Sequence, residues 1–252
     1  MQPPENILNV WRKFHRFPME RFTKLWFYNQ NPTHKQRDVQ LMKQHWHQYG
    51  ITGNCFDLAI WLLHEFQQHG IRAYPIGHHL FTEDAHVAVI AEDHSGNRFL
   101  CDLGDQWTHP ILIEPSNTNF TSGKLSGFFP AADIQVNTKG HQVEILYHRP
   151  NGKISKQTYS VEPLNQDTFM QAAEHSQNSI NPKPLLECRV PYQNEIAHWE
   201  FNNWRSFLST SEGLFEDPAP DSIQEWARLI HQKTGYDLDF LNTVLLQFRK
   251  LT

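Results

Sequence analysis

The chain has 252 residues, enough for one large domain or two to three small ones with a proper core. Its formal net charge is -5 and no segment is polybasic, which argues against a nucleic-acid surface. No apolar run reaches membrane-spanning length, the start Met1-Gln2-Pro3-Pro4-Glu5 does not read as a signal peptide, and the three cysteines lack framework spacing. The expectation is a cytoplasmic protein that engages neither nucleic acid nor membrane.

From the N-terminus, residues 5–30 carry Ile7, Leu8, Trp11, Phe14, Phe17, Phe22, Leu25 and Trp26 at helical spacing, interrupted by Pro18. Residues 35–49 repeat the pattern with Val39, Leu41, Met42, Trp46 and Tyr49. These stripes read as the core-facing sides of helices. A turn of small residues, Thr52-Gly53-Asn54, then leads into an apolar run over residues 56–66 that ends at Gly70. Asn54 is a natural N-cap, so Cys55 is predicted to open a buried helix. A thiol there feels the helix dipole and unpaired backbone N–H groups, which favour the nucleophilic thiolate. The same N–H groups could receive an oxyanion after attack on a carbonyl. Taken alone, Cys55 reads far more readily as a buried structural cysteine; the residues further down the chain shift that balance.

After Gly70 the periodicity changes to that of strands. Residues 73–76, 86–91 and 99–103 read as strands, the last two joined by the turn-rich Glu92-Asp93-His94-Ser95-Gly96-Asn97. A short strand at 111–113 precedes a Ser/Thr/Asn/Gly stretch over 116–127 that reads as a loop. A hairpin follows, residues 142–148 and 153–161 around Pro150-Asn151-Gly152. Residues 166–177 are predicted helical, 185–190 extended, and 222–231 and 238–250 form two closing helices around Gly235.

Three residues then combine. If the 86–103 hairpin is symmetric about His94, facing residues sum to 188, which sets His86 directly opposite Asp102. Cys101 then points to the opposite face, into the core. A Cys at a helix start, a His on one strand and an Asp on the next have the parts of a thiol triad, with His86 as base and Asp102 as the carboxylate that holds its tautomer. Cys, His and Asp also bind zinc, but a closed site needs a fourth ligand, so no metal is expected. The pairs His45/His47 and His78/His79 read as surface or loop residues. Asn119-Phe120-Thr121 matches a glycosylation sequon, which carries no weight in a cytoplasmic chain.

At these residues the sequence resembles the arylamine N-acetyltransferase family, whose wider relatives are transglutaminase-like and papain-like cysteine enzymes. The resemblance lies in Gly53-Asn54-Cys55-Phe56-Asp57, His86-Val87-Ala88-Val89 and Arg98-Phe99-Leu100-Cys101-Asp102-Leu103-Gly104. Weaker likeness extends through Pro110-Ile111-Leu112-Ile113, the hairpin to Tyr159 and Thr234-Gly235-Tyr236, spanning about residues 35–240. The family's Arg-Gly-Gly before the cysteine is Ile51-Thr52-Gly53 here, and its glutamate is Asp57. The resemblance implies Cys55 as nucleophile, His86 as base and Asp102 as orienting carboxylate. It also implies a ping-pong acyl transfer from acetyl-CoA to a small amine, an arylamine or hydrazine. No glycine-rich phosphate loop marks a coenzyme A site.

The expected fold is α+β. A helical domain bearing Cys55 spans residues 1–72, an antiparallel β domain bearing His86 and Asp102 spans 73–163, and a C-terminal α/β region spans 164–252. By resemblance the β domain is barrel-like. Two other functions remain open on the same residues: a transglutaminase-like amidase or peptidase, and a scaffold that binds without turnover. Oligomeric state leaves no trace in the sequence.

Overall fold

A computed structural model describes residues 2–251. Its organising element is α4 (Cys55–Gln68), in which Phe56, Leu58, Ala59, Trp61, Leu62 and Phe66 are all buried. A helix that is apolar on so many sides belongs inside a core. Around it lie α1 (Glu5–Trp11), α3 (Val39–Tyr49) and α5 (Gln166–Asn178), and the first of two antiparallel sheets packs on it, the second sheet sharing the same core.

The first sheet has the order β2-β3-β4-β5, from β2 (Ala73–His78), β3 (His86–Glu92), β4 (Arg98–Cys101) and β5 (Ile111–Leu112). The second has the order β6-β7-β8-β9, from β6 (Lys124–Phe129), β7 (Ala132–Lys139), β8 (Gln142–His148) and β9 (Ile154–Ser160). Antiparallel pairing in this region matches the sequence reading, but neither sheet closes on itself, so the barrel expectation is replaced by two open sheets. Pro75 removes an N–H donor from β2, as suits an edge strand. In the segment after β9, the Leu164 N–H donates to the Pro75 carbonyl of β2 at 2.9 Å. The expected loop over 116–127 ends early, because residues from Lys124 onward already form β6.

Two further departures bear on the site. The N-terminal part is not wholly helical: β1 (Met19–Glu20) pairs with β10 (Leu185–Tyr192), with Met19 opposite Glu187 and Glu20 opposite Leu186. The C-terminal region is an antiparallel sheet of order β1-β10-β11-β12-β13, adding β11 (Glu195–Asn202), β12 (Arg205–Thr210) and β13 (Gly213–Glu216). Helices α2 (Phe22–Tyr28), α6 (Ile223–Thr234) and α7 (Leu238–Arg249) share a second core with this sheet, built on Phe22, Leu186, Trp199, Trp226 and Leu241.

Candidate active site

The start of α4 is over-determined. Asn54 is extended (φ -85°, ψ -176°), and its Oδ1 accepts from the N–H of Phe56 at 3.0 Å and of Asp57 at 3.2 Å. Asp57 returns the bond, its Oδ2 accepting from the Asn54 N–H at 3.1 Å, which completes a capping box. Gly53 has φ 137°, and a Cβ there would fall 2.2 Å from Asp57 Oδ2, so only glycine fits beneath the cap. Because Asn54 takes the N–H groups of Phe56 and Asp57, the expected cluster of free donors is reduced. Among the described residues, the Cys55 N–H is the first-turn donor left without a partner.

Beneath this turn lies a buried polar corner. Asp57 Oδ1 is 3.3 Å from Arg37 Nη2 and accepts from Gln36 Nε2 at 3.0 Å, while Oδ2 accepts from Gln177 Nε2 at 3.0 Å. Both oxygens of this buried carboxylate therefore have hydrogen-bond partners. Ile51 stands where the resembled pattern has arginine, and the guanidinium of this corner comes from Arg37, which also donates to the Thr52 carbonyl. His45, expected at the surface, is buried against Arg37 and Trp26; burial and then the Arg37 charge push it down to about 4.

His86 and Asp102 come together, though not by the expected register. Val89 faces Cys101 and Ile90 faces Leu100, so facing residues sum to 190 and the loop centres on Ser95. The slip of two keeps both side chains on one face and makes His86 and Asp102 diagonal neighbours. His86 Nε2 lies 2.6 Å from Asp102 Oδ2. Asp102 is fully buried, and the His86 side chain is 20% exposed. Burial would lower the His86 pKa, but the Asp102 carboxylate and the adjacent Cys55 thiol outweigh it and raise it well above 6.5. Burial works the other way on Asp102, yet the His86 charge, the Asp105 N–H and the Tyr159 hydroxyl hold it below its ordinary 3.8.

Cys55 is partly exposed and meets His86 over Gly104. A Cβ on Gly104 would stand 2.8 Å from Cys55 Cβ, 3.2 Å from His86 Cε1 and 3.3 Å from Asp102 Oδ1. The three predicted residues therefore converge on this one glycine. Cys101 and Cys188 are buried elsewhere; burial lifts the Cys101 thiol far up and the Cys188 thiol to about 12.

Two supporting residues escaped the sequence reading. Tyr159 donates to Asp102 Oδ2 at 2.8 Å, and the Asp105 N–H donates to Asp102 Oδ1 at 2.9 Å. Burial and the Asp102 charge raise Asp105 to about 7, while Trp107 Nε1 at 2.9 Å and the Tyr147 hydroxyl donate to it. The signal for Tyr159 was faint, the one aromatic in β9, a strand that is otherwise polar apart from Ile154. The site opens into a cleft of about 160 Å³ lined by Cys55, His86, Gly104, Arg21, Lys24 and Glu83, among others.

This arrangement of two open antiparallel sheets, a C-terminal sheet and a thiol-bearing helix is the arylamine N-acetyltransferase fold. An arylamine N-acetyltransferase from M. tuberculosis matches with a TM-score of 0.72 at 12% identity, over 100% of this chain and 94% of that one. One from Mycobacterium marinum, solved in complex with CoA, gives 0.68 at 10% identity, over 96% and 93%. One from Bacillus cereus, described by its Cys-His-Glu catalytic triad, gives 0.65 at 12% identity, over 94% and 92%. No protein-family model and no curated protein sequence matches the chain. Likeness at these identities establishes the fold. Among the described residues, no helix is long and apolar enough to cross a membrane.

Proposed function

We propose that this protein is an acyltransferase in which Cys55 carries the acyl group, His86 moves the protons and Asp102 fixes His86. The observation that supports it most is the convergence of the three side chains on Gly104 at the base of a cleft, in a fold otherwise seen in arylamine N-acetyltransferases. The donor in this reading is acetyl-CoA, and the acceptor is an arylamine, hydrazine or related small amine. A CoA complex of one structural relative supports the donor. The cleft of about 160 Å³ is too small for the whole coenzyme, so only the thioester end reaches Cys55.

In the first half-reaction, His86 takes the Cys55 proton and the thiolate attacks the thioester carbonyl. The Cys55 N–H is the available donor toward the developing oxyanion. CoA leaves as its thiol, taking the proton back from His86. In the second half, the amine attacks acyl-Cys55, His86 accepts its proton, and the amide departs. Asp102 stays ionised throughout, holding the ring with Nε2–H toward itself.

Incubation with acetyl-CoA, followed by intact mass and peptide mapping, tests the reading. A thioester-linked acetyl on Cys55 that passes to an added arylamine faster than to water is the expected result. Rapid loss to water with cleavage of small amides supports the amidase alternative, which the triad alone also permits. Absence of any adduct on Cys55 overturns both.

A further inference from the structure

Lys24 lies in α2, in a stripe of basic and aromatic residues whose sequence suggested only a core-facing helix side. The fold brings it into the same cleft as Cys55, His86 and Gly104. Among the described residues it has no hydrogen-bond or ion-pair partner. Burial and the neighbouring Arg21 charge lower its ammonium to about 8, against opposing effects of Cys55, Asp57 and Glu83. The lowered value brings the neutral, nucleophilic amine closer to neutral pH than in an exposed lysine. A desolvated lysine beside a cationic group is a recognised way to make a nitrogen nucleophile. Lys24, Cys55 and His86 line one cleft, so an acyl group carried on the thiol and the lysine side chain lie in the same cavity.

We propose that Lys24 is an internal acyl acceptor, taking the acyl group from Cys55 when no external amine fills the cleft. The proposal rests on the acyl-Cys55 reading above. The Lys24 Nζ lone pair attacks the thioester carbonyl carbon, a C–N bond forms and the C–S bond breaks. The proton lost from nitrogen passes through His86 to the departing Cys55 sulfur. The products are N-acyl-Lys24 and free Cys55 thiol, with no further reagent. The amide does not return its acyl group, and the cleft loses one positive charge.

The experiment uses the full chain with two acetyl donors, acetyl-CoA and p-nitrophenyl acetate, the second needing no coenzyme site. After hydroxylamine strips thioesters, peptide mapping reads acetyl retained on Lys24. The expected result is retention on Lys24 in the wild type, lost in Cys55→Ala, lost in wild type pre-alkylated at Cys55, and lowered severalfold by excess 4-methylaniline. Lys24→Arg is expected to keep the Cys55 thioester and lack the stable acetyl. Acetyl on Cys55 without any on Lys24 overturns the proposal and leaves the acyltransferase reading intact. Equal acetylation of Lys24 in Cys55→Ala overturns it too, since the group then came from solution. Acetylation of Cys55 by the ester but not by acetyl-CoA overturns the donor assignment alone, and the Lys24 result is read from the ester arm. Absence of acetyl on Cys55 with both donors overturns both readings.

Discussion

His86 stands between two opposing forces, since burial disfavours its proton and Asp102 at 2.6 Å secures it. Its folded pKa lies above the ordinary 6.5, so the pairing stabilises the fold fully below that value and is lost as pH rises through the folded one. The Asp102 pKa is depressed below 3.8, so its contribution is present above 3.8 and lost as pH falls through the folded value. The pair is thus intact across neutral pH, with His86 held beside Cys55. Iodoacetamide near pH 7 is expected to alkylate Cys55 far faster than Cys101 or Cys188, whose burial raises both thiols. His86→Ala is expected to lower acyl transfer by about 10²–10⁴-fold, with Asp102→Asn in the same direction, as read by rates of amide formation. Equal labelling of all three cysteines would leave only the non-catalytic reading. Gly104 offers a sharper test, because its place is set by contact rather than chemistry. Gly104→Ala drives a methyl to 2.8 Å from Cys55 Cβ, and this overpacking costs about 1–3 kcal/mol if the neighbours give way. Activity should fall more than stability does, measured by acyl transfer against the denaturation midpoint, because the displaced atoms are those of Cys55 and His86.

At the scale of elements, the sequence held the α4 start almost completely. Asn54, Asp57 and Gly53 act locally, through bonds spanning three residues and one positive φ, and local chemistry can be read from a sequence. The hairpin was legible only to its facing side. Alternation fixed which residues share a face, while the loop centre, Ser95 rather than His94, depended on Asp93 and Asn97 closing a five-residue turn. What the sequence could not disclose was β1, two residues whose partner β10 lies more than 160 positions away. That pairing buries Glu20 beside the nucleophile loop, its N–H donating to the Gly53 carbonyl at 2.9 Å. Burial raises Glu20 from 4.5 to about 7, with Thr23 opposing through two hydrogen bonds. Since the folded pKa is the higher one, Glu20 contributes stability below pH 4.5 that is lost as pH climbs to 7. Glu20→Gln is expected to flatten the fall in stability across that window by a few kcal/mol at most, as followed by urea unfolding at several pH values. An unchanged slope would mean that Glu20 is not protonated in the folded protein.

At the scale of the molecule, the site depends on parts that sequence reading treated separately. Tyr236 follows α6, more than 180 residues after Thr52, yet its hydroxyl lies 2.5 Å from Thr52 Oγ1 and accepts from the Thr52 N–H at 3.2 Å. Thr52 Oγ1 donates onward to the Pro18 carbonyl at 2.7 Å, so the Tyr236 hydroxyl is the donor of the shorter bond. Each hydroxyl then has its proton assigned, and a relay runs from the C-terminal core through the loop before Cys55 to the segment entering β1. All three links are buried. Tyr236→Phe keeps the ring packed in the second core, where it is fully buried, and deletes only the hydroxyl. The Thr52 N–H is then buried without an acceptor, at a cost of about 1–3 kcal/mol. If the C-terminal core merely caps the fold, that loss should appear as a lower denaturation midpoint with Cys55 alkylation unaltered in the native protein. If it holds the nucleophile loop in place, Cys55 alkylation should slow well below the denaturation transition. The second outcome is expected, because Thr52 is two residues from Asn54 and Gly53 between them has no room to absorb a shift against Asp57.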